Sequence, residues 1–359
     1  MKKQFFSTIF PRTSVIGFLG LLIFTSCGDE NKHILQSREF PAIHELKARK
    51  IPIKEVLNPI DLIITSDFFI FQNEYLSGED CFFVFDRALN FCYSFGRLGQ
   101  GPQEYIAPRL VYGSKKDNHL SIFDSQTDVI TEFKLEALKP SFLSETKIAE
   151  TYLPTQYISY VNDSILTYEI QDNNGSFLYS YNLSNKEIVD TLEFATPFKE
   201  MMNSKFNPNI EDFKVSINNA TLLTTFNFID EVRIGTILEN GKFEMDKTFS
   251  SDKCTLNSTE DMDSNTLFYL FPQITDKHVY APYYGLPFLS MKPFPFNLKG
   301  RSMMKHLEVY DLEKKPIARL SIDCEFLKFI VDEKTKKLYT WDFLKDFDYL
   351  LEYDISCLN

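Results

Sequence analysis

Histidine, tryptophan and glycine are scarce in this chain, and each shortage excludes something. Five histidines and one tryptophan stand among 359 residues. His33 and His44 lie near the N-terminus, and His119, His278 and His306 are isolated from one another. None falls in an HExxH or comparable spacing, so no local zinc-hydrolase motif is present. No G-x-S-x-G turn offers a nucleophile elbow. The six cysteines contain no C-x-x-C pair, which removes the usual zinc and dithiol redox spacings. Lysine and arginine (38) are outnumbered by aspartate and glutamate (50), and no basic stripe appears. A net charge of -12 without such a stripe argues against a nucleic-acid partner and serves solubility. No apolar run approaches the roughly 20 residues that a membrane-crossing helix needs.

What the chain has instead is rings. Phenylalanine (35) and tyrosine (18) give it a large potential core and favour strands over helices. From about Ile51 onward, short aromatic and β-branched runs alternate with Asn, Asp, Gly and Ser, the pattern of a sandwich, barrel or propeller.

A recurring strand ending, an aromatic residue followed by Asp or Asn, selects the propeller. It occurs at Phe85-Asp86, Phe123-Asp124, Tyr181-Asn182, Tyr310-Asp311 and Tyr353-Asp354. The first two are 38 residues apart and the last two 43, close to one four-stranded blade. A blade with a degenerate ending fits around Val232–Leu238 and Phe243–Phe249. At roughly 50 residues per blade, the body holds six blades, with seven as the alternative.

A second mark is an acidic or Asn turn before a strand. It appears at Ser66-Asp67, Asp117-Asn118, Asn162-Asp163 and Asp276-Lys277. Such side chains bond nearby backbone N–H groups and favour turns; one per blade is too few to assemble a calcium site. The ring closes if Ile51–Val56 adds a strand beside Asp348–Ile355, hiding a sheet edge.

The N-terminus reads as a secretory signal over residues 1–26. Lys2 and Lys3 precede the apolar run Val15–Phe24. Phe24-Thr25-Ser26-Cys27 resembles the lipobox of bacterial lipoproteins, which implies cleavage before Cys27 and its lipidation. Gly28-Asp29-Glu30 resembles the acidic export signal of surface lipoproteins. Residues 27–50 are expected to be the lipidated cysteine and a tether, and 51–359 the propeller. The remaining cysteines are expected to be buried thiols. A hairpin turning at Ala88-Leu89 sets Phe85 opposite Cys92 and Gly96 opposite Cys81, against a disulfide between the two cysteines.

The densest glycine cluster is Gly96-Arg97-Leu98-Gly99-Gln100-Gly101-Pro102-Gln103-Glu104-Tyr105. It is not a P-loop, because Pro102 and Gln103 stand where Lys and Ser/Thr are required. It reads as the crossing from one blade to the next, with Gly99 and Gly101 supplying positive φ, Pro102 stiffening the exit, and Arg97 paired with Glu104. These residues, with Val84-Phe85-Asp86 and the lipobox, resemble the GRxGQGPxEY signature of bacterial six-bladed β-propeller lipoproteins of the TolB-like and NHL-like group. The resemblance covers about residues 60–135. It implies an all-β, six-bladed propeller of four-stranded antiparallel blades, lipid-anchored at the outer membrane on its periplasmic or cell-surface side. It implies no cofactor and no catalytic set.

In such blades the connection after the second strand and the crossing to the next blade emerge on one side. Gln72–Asp80, Gly96–Tyr105, Thr196–Phe213, Ser250–Thr266 and Gly285–Lys305 are therefore expected on one rim. The candidate rim residues are Arg97, Gln100, Glu104, Tyr105, Tyr283, Tyr284, Phe288, Phe294, Phe296 and Arg301, with an envelope protein or glycan as partner and no metal. The competing expectation is a propeller enzyme, a metal-dependent hydrolase or lyase, with its site in the central channel.

Overall fold

Runs such as Phe68-Phe69-Ile70-Phe71 are apolar on both faces of a strand, so they need packing partners on both sides. Blades stacked radially supply them. Phe68 and Ile70 pack with Leu120 and Ile122, while Phe69 and Phe71 pack with Tyr339 and Trp341. Each fully buried Phe contributes roughly 1.5–3 kcal/mol of transfer free energy. The ring-rich composition is thus used between blades, in a series of apolar layers rather than one central core.

The computed structural model describes residues 39–74, 79–101, 104–113, 116–148, 157–172, 175–194, 213–250, 266–287, 304–313, 315–342 and 346–358. The described residues form strands and turns, with no helix. Two short strands come first, β1 (Ile43–Leu46) and β2 (Arg49–Pro52). Blade one is β3 (Pro59–Ile64), β4 (Phe68–Asn73), β5 (Asp80–Asp86) and β6 (Phe91–Arg97). Blade two is β7 (Pro108–Val111), β8 (His119–Asp124), β9 (Val129–Lys134) and β10 (Ser141–Lys147). Blade three is β11 (Ile158–Tyr160), β12 (Ile165–Asp172), β13 (Gly175–Asn182) and β14 (Glu187–Glu193). Blade four is β15 (Phe213–Asn218), β16 (Thr221–Phe226), β17 (Glu231–Ile237) and β18 (Phe243–Ser250). Blade five has a broken inner strand, β19 (Thr266–Tyr269) and β20 (Gln273–Ile274), followed by β21 (His278–Pro287), β22 (Met304–Asp311) and β23 (Pro316–Phe326). Blade six is β24 (Phe329–Asp332), β25 (Lys337–Asp342) and β26 (Asp346–Asp354), completed by β2.

The chain is therefore an all-β, six-bladed propeller whose blades are antiparallel meanders running from an inner to an outer strand. The expected closure is present: Ile51 is in register with Leu350, and the Ile53 N–H donates to the Asp348 carbonyl at 2.8 Å. The expected tether is corrected at its C-terminal end. Ile43–Leu46 lies parallel to Arg319–Ile322 as an extra outer strand of blade five, and Arg49–Pro52 is the outer strand of blade six. The strand β1 carries no core pattern because it holds on through edge hydrogen bonds, and β2 starts two residues before the expected closing strand.

The Asp/Asn turn marks hold, with one correction of phase. The acceptor oxygens of Asp86, Asn182, Asp311 and Asp354 bind backbone N–H groups of the turn that follows the third strand of a blade. Asp124 ends β8, a second strand, and so belongs to the opposite face. The turns at Asp67, Asn118, Asp163 and Asp276 all precede second strands, but the expected local bonding is made only by Asn162; the Thr65 and Thr275 hydroxyls accept the N–H groups of two other turns. They also bridge blades: Asn118 bonds Thr65 and Ser66, and Asn218 and Asn219 donate to Asp276.

The cysteine register is nearly as read. Asp80 faces Arg97 and Phe82 faces Phe95, placing Cys81 opposite Gly96, but a bulge after Val84 sets Phe85 against Phe91. Cys81, Cys92, Cys324 and Cys357 are free thiols. Cys81 and Cys324 are buried; burial, with Asp80 nearby, pushes the Cys81 thiol up to about 12. Cys357 is exposed, against expectation.

Candidate functional site

Every inner strand starts where a blade-to-blade crossing ends. By the meander, the β4–β5, β6–β7, β14–β15, β18–β19 and β21–β22 connections leave from one face. Strand register agrees: Pro59 faces Asn73, Asp80 faces Arg97, and Thr266 faces Pro287. The segments expected to share a rim have their strand ends on this crossing face.

The β6–β7 crossing is built around Glu104 rather than around positive φ at Gly99 and Gly101. Positive φ occurs at Gly96 (+81°), where a side chain would also strike the Phe82 ring. At Gly99 and Gly101 a Cβ would meet the Glu104 carboxylate, so glycine there lets that flexible side chain fold back over the loop. That carboxylate accepts the Gly101 N–H at 2.7 Å, and the expected Arg97–Glu104 ion pair is not made. The loop is locked further by Tyr105 N–H to the Arg97 carbonyl (3.0 Å) and Gly99 N–H to the Tyr105 carbonyl (2.9 Å). Arg97 and Gln100 are exposed.

A cleft of about 410 Å³ opens beneath this crossing. Gln100 and Glu104 edge it from the crossing, Tyr105 and Phe133 give it an apolar base, and Asp124 and Glu145 close the blade-two side. Asp124 is fixed by the Ile106 N–H (2.7 Å), the Ala107 N–H (3.1 Å) and the Gln126 N–H (3.0 Å). Sequence reasoning took Asp124 for a strand ending and did not reach Glu145, which no local motif marks.

The other sequence candidates divide. Tyr283 and Tyr284 are 3% and 6% exposed, so neither ring face is open to a ligand. Tyr283 lies against Tyr269 and under the Arg319 guanidinium, which is paired with Glu308 at 2.8 Å; Tyr284 belongs to the blade-five core. Tyr105 is also buried, through its ring packing on Phe82. Cys27, Phe288, Phe294, Phe296 and Arg301 lie outside the described residues.

The central channel carries a belt that touches every blade. Lys328 pairs with Asp61 at 2.7 Å, joining the sixth blade to the first, and the Tyr112 hydroxyl donates to the same carboxylate. Tyr112 stacks on Tyr157 with centroids 5.1 Å apart, and the Tyr157 hydroxyl accepts the Ile217 N–H of blade four. Lys214 and Lys328 each lie over the Phe271 ring, at 5.5 and 5.1 Å. Burial and the Asp61 carboxylate hold the Tyr112 phenol well above its ordinary value, so it stays a proton donor in the belt. Asp61, held by both Lys328 and Tyr112, fastens the sixth, first and second blades to one another. Among the described residues, no group of three or more His, Cys, Asp or Glu could hold a metal ion.

The fold has counterparts among solved structures. A protein from Bacteroides fragilis NCTC 9343 described as exported is similar at TM-score 0.54 and 15% identity, over 86% of this chain and 94% of that one. A member of the DUF4221 family from Bacteroides vulgatus ATCC 8482 is similar at TM-score 0.50 and 12% identity, over 86% and 97%. At such identities the likeness is one of fold. No family model matches the chain, and no curated protein does. Fold and site together define a six-bladed propeller with a cleft under its first crossing.

Proposed function

We propose that this chain is a non-catalytic lipoprotein of the cell envelope, anchored through Cys27 at the outer membrane, whose crossing face binds a protein or glycan partner. One observation carries the reading: the long connections, including the glycine-rich crossing with its cleft, leave from a single face of a ring fastened blade to blade. A rigid ring presents its loops at low entropy cost, which favours affinity without large rearrangement. The lipobox at Phe24–Cys27, the resemblance to the TolB-like and NHL-like lipoproteins, and the exported counterpart support the address.

The test has two arms. Cys27→Ala should move the protein from the membrane fraction to the soluble envelope fraction; retention in the membrane would contradict the anchor. Deleting Phe288–Lys299, which leaves β21 whole, should abolish partner capture from envelope extracts while the thermal midpoint stays within a few degrees of wild type. Unchanged capture would contradict the crossing-face reading.

A further inference from the structure

The direction of β1 fixes the end of the ring at which the chain enters it. Outer strands of these meanders run toward the crossing face: β6 follows the Asp86–Asn90 turn and ends at Arg97, where the crossing begins. In blade five β23 runs the same way, and β1 lies parallel to it, with Ile43 beside Arg319 and Leu46 beside Ile322. The strand β1 therefore also runs toward the crossing face, and the residues just before it arrive from the opposite face. Phe40 marks the entry point. Its ring meets Tyr310 edge-on at 5.6 Å, and the Arg319 guanidinium lies over it at 4.8 Å. The Ala42 carbonyl accepts the Arg319 N–H at 2.9 Å. Tyr310 stands beside the β22–β23 turn, which belongs to the face opposite the crossings.

Cys27 precedes Glu39 by twelve residues, a span of at most about 40 Å. The strands of blade one have six or seven residues, which makes a blade about 20 Å tall. Turning the crossing face toward the lipid at Cys27 would use about half of that reach in running back along blade five. Turning the opposite face toward it uses none.

The opposite face also has the surface chemistry of a lipid contact. Leu138 is 87% exposed in the β9–β10 turn, and Leu312 is 40% exposed in the β22–β23 turn. Blades two and five stand across a six-bladed ring from each other, so apolar tips on these two would seat the ring flat. Exposed lysines lie in turns of the same face on blades two to six: Lys139, Lys186, Lys242, Lys277, Lys315 and Lys334. Acids alternate with them, among them Glu136, Glu239, Asp276 and Glu313, which leaves this face near balance on a chain of net charge -12. A near-neutral face meets anionic headgroups with little repulsion, and lysine stems can carry their ammonium groups to the phosphates.

We propose that the face opposite the crossings rests on the lipid surface, with Leu138 and Leu312 at the acyl boundary and the turn lysines among the headgroup phosphates. The proposal rests on the anchor at Cys27 and gives it an orientation: the crossing face is held away from the membrane, toward its partner. Two leucines and a near-neutral face are too weak to retain the ring without the lipid, so Cys27→Ala still releases it.

The test reads lysine acetylation by mass spectrometry. It compares the lipidated full chain on vesicles of phosphatidylethanolamine and phosphatidylglycerol with Cys27→Ala in solution. Lys139, Lys186, Lys242 and Lys315 should react at least threefold more slowly on the vesicles. Lys147 and Lys305, exposed at the crossing-face ends of β10 and β22, should react at equal rates in both states. Replacing both exposed leucines, Leu138→Ser with Leu312→Ser, should leave melting unchanged and remove at least half of the protection. Protection of Lys147 and Lys305 instead, protection of neither set, or full protection in the double variant overturns the proposal while the anchor reading stands. If the chain taken from the envelope does not stay with the vesicles, the anchor reading fails, and the orientation falls with it.

Discussion

At the scale of single residues, the crossing shows glycine making room for a neighbour's side chain rather than serving its own backbone angle. Gly99 gives way to the Glu104 carboxylate, so Gly99→Ala should force that carboxylate off the Gly101 N–H. Losing that hydrogen bond costs about 0.5–1.5 kcal/mol, readable as a lowered denaturant midpoint with unchanged slope. Lys186 is the opposite case: an L-residue at φ +58° in the β13–β14 turn. Holding it there costs about 1–2 kcal/mol, of which glycine's extra chain entropy returns part, so Lys186→Gly should stabilise by up to about 1 kcal/mol in the same measurement. The sequence marked the glycine cluster plainly. It could not show which glycines carry positive φ, because that depends on where the Glu104 side chain folds back.

At the scale of strands and turns, the blade joints use charge as well as rings. Glu333 accepts from the Tyr280 hydroxyl at 2.8 Å and the Thr275 hydroxyl at 3.0 Å, and sits 2.7 Å from the His278 Nδ1, tying the fifth blade to the sixth. Burial works against its ionised form, yet the bonds from His278, Tyr280 and Thr275 prevail and hold its carboxyl below the usual range. Asp332, partly buried and bonded by Thr335 and Arg87, is shifted the same way. A carboxylate lowered in the folded state adds stability above its unfolded value, near 4.3 for glutamate, and loses it as pH falls through the folded value. Stability should therefore decline on the acid side of about pH 4, and Glu333→Gln should flatten that limb in urea unfolding measured from pH 3 to 7. An equally steep limb in the variant would contradict the assignment.

Legibility in the sequence follows the same physics. Turns before second strands could be read by composition, although only Asn162 closes its own turn; Thr65 and Thr275 hydroxyls close two others, and Asp67, Asn118 and Asp276 bond across blades. The aromatic-Asp ending misphased at Asp124 because second and third strands end alike, although on opposite faces. The closing strand was legible from Ile51 onward, whereas β1 was not, because its edge pairing leaves no alternation of apolar residues. Half of the cleft was visible in Gln100, Glu104 and Tyr105. Its far wall, Asp124 and Glu145, is brought there by blade two and carries no local signal.

At the scale of the molecule, a ring of six sheets is held by its layers and by its closure. The last blade borrows β2 as its outer strand, and Lys328 reaches Asp61 across the seam. Removing residues 39–52 should strip β1 from blade five and β2 from blade six, exposing β26 as an edge. The expected result is a lower, broader thermal transition with a tendency to self-associate by light scattering. A sharp transition at the wild-type temperature would show that closure at the channel is sufficient.

The most direct test of the central claim, that one face of this ring does the work, is site-specific photo-crosslinking in the intact envelope. A photoreactive residue at Gln100 samples the crossing face, and one at Asn185 samples a turn on the opposite face. The account predicts a discrete adduct from Gln100 and none from Asn185. An adduct from Asn185 alone, or the same adduct from both positions, would contradict it.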